Sequence, residues 1–248
     1  MIKEKWQFAA AGFRASADRF LRLLYPVRCP FCDEPVPVSE GLVCSRCLSG
    51  VHTVKEPFCY KCGKQLETSE KEYCKDCACR PHEFDGGRTL FVYEDAVRKS
   101  IYRFKYAGRK EYARAYAAMA ERELGDFVRE IKPDALIPVP LSKERLSKRG
   151  YNQAQLLAKE LGRRFGVPVL TDTVHRVKNT LPQKELDIVQ RQNNLKKAFK
   201  INGNDVKLYT IIIIDDIYTT GSTVDELSKV LKDAGAKRIF FLCLAGGK

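Results

Sequence analysis

The densest grouping of reactive side chains in this chain is Asp215-Asp216-Ile217-Tyr218-Thr219-Thr220-Gly221-Ser222-Thr223. Two adjacent carboxylates can accept hydrogen bonds from neighbouring sugar hydroxyls, or help to hold a hydrated Mg²⁺. The small residues that follow offer complementary chemistry. Thr219, Thr220, Ser222 and Thr223 carry hydroxyl donors, and Gly221 can take a positive φ and let the backbone approach a ligand closely. If a helix begins here, its first N–H groups and its dipole face an anion. Carboxylates for sugar hydroxyls beside amides for a phosphate describe a phosphorylated ribose.

A second chemistry lies upstream. Ten cysteines are present, and nine fall between residues 29 and 79. Eight form C-x2-C pairs: Cys29/Cys32, Cys44/Cys47, Cys59/Cys62 and Cys74/Cys77. The second two pairs repeat the first two at a fixed offset, so the segment is an internal repeat. A C-x2-C turn aims two thiolates at one ion, and two turns complete a tetrahedral S4 site. Zinc fits such a donor set, and in so small a segment it supplies much of the folding free energy. Two zinc ribbons are expected, with two structural ions and no open position for catalysis. The expected grouping is sequential, Cys29/Cys32/Cys44/Cys47 and Cys59/Cys62/Cys74/Cys77; an interleaved grouping satisfies the same spacing. Cys79 is spare, His52 and His82 read as surface histidines, and Cys243 sits in an apolar run and reads as core.

The elements that must position these groups can be read from hydrophobic pattern. Tyr209–Ile214 is a β-branched run typical of a strand buried on both faces, and it delivers the two acids to its carboxyl end. Thr223–Ala234 reads as a helix stopped at Gly235. Strand and helix alternate elsewhere: a strand end and helix over 93–106, a long helix over 110–131, a short strand at Ala135–Pro140, a helix over 151–165, a short strand at Val167–Leu170 and a last strand at Arg238–Leu244. Such alternation predicts an α/β fold with a parallel sheet and helices on both sides. Ligands in these folds bind at the carboxyl ends of strands. Three segments are expected: an N-terminal amphipathic helix over 1–28, with Phe13, Ala17, Phe20, Leu21 and Leu24 on one stripe; a double zinc ribbon over 29–85; and the α/β domain over 86–248.

Charge supports the same division. The net charge is +13, and nearly all of the excess lies in the α/β part, which favours anionic partners. No apolar run approaches the ~20 residues that span a bilayer. Residues 1–28 lack the continuous apolar stretch and cleavage site of a secretory signal.

The string Ile211–Thr223 resembles the signature of type I phosphoribosyltransferases. The resemblance implies that Asp215 and Asp216 contact ribose hydroxyls and are candidates for a catalytic role, while Thr219, Thr220, Gly221, Ser222 and Thr223 hold the 5′-phosphate of phosphoribosyl pyrophosphate. Pro138–Ala154, with Lys143, Arg145 and Arg149, follows another strand and suits a pyrophosphate-binding loop. Arg176–Asn194 is similar to the loop that closes over substrate in these enzymes. Lys105, in Phe104–Gly108, is within reach of the phosphates. Joined to the cysteine repeat and to Arg149-Gly-Tyr-Asn-Gln153, these islands resemble the ComF-type competence family over about residues 24–244. That resemblance implies a cytoplasmic protein with a role in DNA uptake and natural transformation, and DNA-uptake proteins as partners.

Three functions follow. The first is a competence factor binding phosphoribosyl pyrophosphate and single-stranded DNA. For the DNA, basic residues over 98–114 interleaved with Tyr102, Phe104, Tyr106 and Tyr112 would supply backbone contacts and stacking; a helix with a core-facing aromatic stripe fits that pattern equally. The second is an active phosphoribosyltransferase of nucleotide salvage, with Mg²⁺, Lys143 and Arg149 at the leaving pyrophosphate. The third retains the fold as a sugar-phosphate sensor. The last strand ends close to the C-terminus, so the ribbons would have to form any hood over an acceptor.

Overall fold

The computed structural model describes residues 26–177, 198–201 and 210–246. The expected N-terminal helix lies outside them except for its last residues, and the expected closing loop lies outside them beyond Val177. The ribbon segment contributes two short helices, α1 (Ser45–Gly50) and α2 (Lys75–Cys79). The rest runs β1 (Gly86–Val92), α3 (Asp95–Tyr106), α4 (Tyr112–Ile131), β2 (Ala135–Pro138), α5 (Lys143–Arg149), α6 (Gln153–Phe165), β3 (Val174–Arg176), β4 (Phe199–Ile201), β5 (Thr210–Tyr218), α7 (Ser222–Asp233) and β6 (Arg238–Gly246).

The four long-range strands form one parallel sheet in the order β1-β6-β5-β2. Its centre is the isoleucine run. Side chains alternate across a strand, so Ile212 and Ile214 enter one core with Ile101, Phe104, Tyr116 and Leu157. Ile211 and Ile213 enter the other with Val224, Leu227 and Leu231 of α7. All four isoleucines are fully buried, each stabilising the fold by about 1.5–3 kcal/mol relative to exposure.

The two ribbons divide between these cores. Cys29, Phe31, Val36 and Val43 belong to the first, and Cys59, Cys62 and Leu66 to the second. Between them the chain crosses the free edge of β1: Val92 N–H donates to the His52 carbonyl at 3.0 Å, and Val54 N–H to that of Leu90 at 2.9 Å. This pairing covers a strand edge that would otherwise be open.

Three expectations are corrected in detail. β5 continues through the acid pair to Tyr218. Val167–Leu170 makes a single parallel bridge, Leu136 with Val169, because Pro168 has no N–H to extend a ladder. Residues 143–149 form a helix, with Ser142 as N-cap and Gly150 at φ 73° closing it, so the expected pyrophosphate loop is helical there. The run Lys-Glu-Arg-Leu-Ser-Lys-Arg is made largely of helix formers, and Glu144 and Lys148 pair one turn apart at 2.7 Å.

Candidate sugar-phosphate site and zinc centres

The acid pair begins where β2 ends. Pro138 is paired with Ile214, and the next ladder positions of β5, from Asp215 onward, keep only β6 as neighbour. Two prolines in Ile-Pro-Val-Pro stop β2 there, so the sheet opens a notch beside the two carboxylates. Asp216 N–H donates to Asp215 Oδ1 at 2.8 Å. Burial, and then the neighbouring charge of Asp216, push the Asp215 carboxyl up to about 7 against the opposing pull of Lys105 and Arg176. Beneath them Cys243 pairs in register with Asp215 and is fully buried, as expected; burial pushes its thiol up.

Lys105 closes one side of the notch, its Nζ 2.8 Å from Asp216 Oδ1. It is carried by α3, whose Val97, Ser100, Ile101 and Phe104 face inward. The first ribbon fixes that helix. Ser100 Oγ donates to the Pro30 carbonyl, and Arg103 donates to the carbonyls of Pro30 and Phe31 at 3.1 and 2.6 Å. Asp33 of the same ribbon accepts from Arg109 at 2.7 Å and Tyr112 at 2.6 Å.

The loop after β5 closes the other side. Gly221 takes φ 82° as N-cap of α7. A helix's first N–H groups have no acceptor within the helix, and Gly221 brings no side chain to cap them. Thr220 and Ser222 hydroxyls lie 3.0 Å apart, and Thr219 and Thr223 are half-buried beside them. A Cβ on Gly221 would stand 2.6 Å from Tyr218 Oη and 3.1 Å from His82 Cε1, so only glycine fits.

The thiols also group as the sequential reading requires. Cys29/Cys32/Cys44/Cys47 form one cluster and Cys59/Cys62/Cys74/Cys77 another, the sulfurs of each within 4.8 Å of one another. Zinc with ~2.3 Å bonds sets tetrahedral sulfurs ~3.8 Å apart. The separations Cys32–Cys44, Cys29–Cys44 and Cys62–Cys74 are 3.8, 3.7 and 3.6 Å. That is the edge of an S4 zinc site and far from the ~2.05 Å of a disulfide.

Two matches to known families fall on these two parts. Residues 20–78 match the double zinc ribbon domain, and residues 109–248 the phosphoribosyl transferase domain. Relatives match along most of the chain. Competence protein F of Haemophilus influenzae is 33% identical over 86% of this chain and 93% of its own. DNA utilization protein YhgH of Salmonella typhimurium is 30% identical over 90% of this chain and 98% of its own. Competence protein ComFC of Bacillus subtilis is 30% identical over 78% of this chain and 79% of its own.

The chain belongs to the ComF-type competence family.

In this ComF-type chain the Arg149–Gln153 motif is scaffolding around α3. Tyr151 Oη donates to the Phe104 carbonyl at 2.6 Å, and Gln153 Nε2 to that of Lys105 at 3.4 Å. Asn152 donates to the Val139 carbonyl at 3.0 Å and caps α6 through Ala154 N–H at 3.0 Å. Arg149 is drawn into this group. It donates to Gln153 at 2.9 Å and to Tyr106 Oη at 3.0 Å, and its guanidinium lies 4.8 Å over the Tyr106 ring. Lys143 is exposed at the start of α5.

Two cations of the sequence islands prove more central than the sequence suggested. Burial, and then the charge of Arg145, lower Arg176 to about 10, while Asp215 opposes the shift. Arg145, Arg176 and Asp215 therefore share one electrostatic neighbourhood. Arg145 precedes Arg149 by one helical turn, a spacing that marks a shared face once the segment is read as helix.

The histidines divide. His52 is exposed and pairs with Glu94 at 3.0 Å. His82 is corrected from surface to interior: its side chain is fully buried against Asp225. Cys79 is exposed and outside both clusters. The aromatic pattern over 98–114 also divides. Phe104 and Tyr112 are buried, while Tyr102 and Tyr106 are 60% and 58% exposed, their rings 4.9 Å apart. Among the described residues no helix is long and apolar enough to cross a membrane.

Proposed function

We propose that the protein binds phosphoribosyl pyrophosphate in the notch between β2, β5 and α7, and single-stranded DNA on the adjacent face of α3, in the service of DNA uptake. The observation that carries the sugar-phosphate reading is the placement of Asp215 and Asp216, with Lys105 at 2.8 Å, at the end of β5 that leads into the Gly221 turn and the N-terminus of α7. The carboxylates accept from the ribose hydroxyls. The N–H groups and hydroxyls of Thr219–Thr223 receive the 5′-phosphate. Lys105, Arg145 and Arg176 supply positive charge for the pyrophosphate, with Lys143 and Arg149 at the rim. Asp215 and Asp216 would help to hold Mg²⁺ arriving with the ligand, and the ion would offset phosphate charge. Tyr102 lines a shallow cavity with Arg98, Lys99 and Arg103, and the exposed ring of Tyr106 lies 4.9 Å from that of Tyr102. Exposed aromatics among cations suit stacked bases and a phosphate backbone. The names of the relatives, competence and DNA utilization proteins, point the same way.

A second reading, an active phosphoribosyltransferase, is favoured by one observation. Asp215 is buried beside Asp216, which pushes its carboxyl up to about 7, where a carboxylate can take a proton at neutral pH. In that reaction an acceptor atom bonds to C1 of the ribose as the C1–oxygen bond breaks, and the electron pair leaves on pyrophosphate.

Calorimetry with phosphoribosyl pyrophosphate and Mg²⁺ tests the first reading. Asp215→Ala/Asp216→Ala is expected to lose binding while keeping two zinc ions per chain; intact affinity in that variant sinks the site. Pyrophosphate release from labelled ligand, offered with bases and with DNA, separates the two readings and names the acceptor.

A further inference from the structure

The only histidine buried in the described residues joins the second ribbon to the phosphate loop. His82 follows Cys77 by a few residues, yet its Nδ1 lies 2.9 Å from Asp225 Oδ2, across 143 positions of sequence. The other carboxylate oxygen, Oδ1, accepts Glu83 N–H at 3.0 Å. Asp225 belongs to the first turn of α7, and its own N–H donates to the Gly221 carbonyl at 2.8 Å. The imidazole stacks on Phe84 at 4.7 Å. Phe84 in turn packs edge-on against Phe241 at 4.9 Å, within the core that contains Cys59 and Cys62.

His82 and Tyr218 thus stand together behind Gly221. Tyr218 cannot yield, because its ring is stacked on Phe241 at 4.6 Å and 6°. On this side the loop has no room to retreat. The pairing also disposes of a charge. An acid in the first turn of a helix suits the dipole when the site is empty, but facing forward it would repel a bound phosphate. Held by the imidazole and by Glu83 N–H, the Asp225 carboxylate is kept at the back.

We propose that His82 is a positioning residue for the phosphate loop, through which zinc in the second ribbon and a phosphate in front of Gly221 stabilise each other. This rests on reading Thr219–Thr223 as the 5′-phosphate site. Coupling of this kind is reciprocal: whatever zinc does for the phosphate, the phosphate does for zinc. The first ribbon packs in the core on the opposite face of the sheet.

The test uses the full-length, zinc-loaded protein with ribose 5-phosphate and, separately, inorganic pyrophosphate, which lacks a 5′-phosphate. His82→Phe retains a ring to stack on Phe84 but cannot donate to Asp225; His82→Asn retains a donor. His82→Phe is expected to weaken ribose 5-phosphate about tenfold, within the usual range of site coupling, leave pyrophosphate unchanged and retain two zinc ions. His82→Asn is expected to recover most of the affinity. Ribose 5-phosphate should slow release of one zinc to a chromogenic chelator in wild type, and lose that effect in His82→Phe. Wild-type affinity for ribose 5-phosphate in His82→Phe, or an equal loss of both ligands, overturns the inference alone. Wild-type protein that binds neither ribose 5-phosphate nor phosphoribosyl pyrophosphate overturns the site reading and this inference with it.

Discussion

Replacing Asp215 with Asn should make the ligand-free protein more stable at neutral pH while weakening its hold on a ribose phosphate. Burial and Asp216 raise the Asp215 carboxyl from 3.8 to about 7. In the folded chain it therefore keeps a proton that the unfolded chain has already released. Between these two values the folded state binds more protons, so stability falls as pH rises. At ~1.36 kcal/mol per unit, the full effect is about 4 kcal/mol, of which more than half accrues between pH 5 and 8. Asp215→Asn carries no such titration. Urea unfolding of both proteins across that range should show Asp215→Asn gaining on wild type by that amount. Both carry the same ribbons, so thiol protonation cancels in the difference. Calorimetry at pH 8 should show the gain accompanied by weaker phosphoribosyl pyrophosphate binding. Parallel curves, within ~0.5 kcal/mol across the range, would refute the claim that Asp215 is held against its charge.

Gly221→Ala should destabilise the chain by about 1–2 kcal/mol for its left-handed φ alone, with a further cost from contact with Tyr218 Oη; Tyr218→Phe in the same chain should restore part of it, as read by thermal unfolding. Tyr218→Phe alone should be neutral or stabilising, since it removes a buried hydroxyl that has no partner. Removing zinc from one ribbon at a time should loosen different walls of the notch: by hydrogen exchange, Cys44→Ser should deprotect Asp95–Tyr106, and Cys74→Ser the start of α7, and the same pattern from both would count against this division. Tyr102→Ala/Tyr106→Ala should weaken single-stranded DNA by about 1–3 kcal/mol for each base that stacks, and wild-type affinity should fall steeply with salt; salt-insensitive binding, or an unaffected double variant, would count against the DNA surface.

What was legible in the sequence was local. The isoleucine run announces a strand buried on both faces because β-branched side chains at successive positions leave no polar face. The cysteine spacing announces two S4 sites because a two-residue gap turns both thiols toward one point. Gly221 announces a tight turn because it sits between hydroxyl residues at the start of a helix. What stayed hidden depends on distant partners. His82 carries no local sign of burial, and Asp225 looks like an ordinary first-turn acid; only folding brings them together. Arg149 reads as a phosphate ligand, and its contacts with Tyr106 and Gln153 have no local sign. The aromatic–basic stretch reads equally as a core stripe and as a DNA face; the fold buries Phe104 and Tyr112 and leaves Tyr102 and Tyr106 exposed, a division that no local pattern announces.

The repeat of the ribbon has a structural logic of its own. One ribbon could brace only one face of the sheet, whereas the notch has walls that hang from both. Lys105 comes from α3, packed on the face that the first ribbon shares; Gly221 and α7 belong to the face that the second ribbon shares. The segment that crosses the β1 edge lets a single chain reach both sides. The zinc centres are closed S4 sites with no position for a substrate, so their influence on the notch must pass through packing: through Arg103 and Ser100 on one side, and through His82 and Phe84 on the other. Two small zinc-folded units thus do for the walls of the notch what a larger apolar core would do in a domain with longer elements.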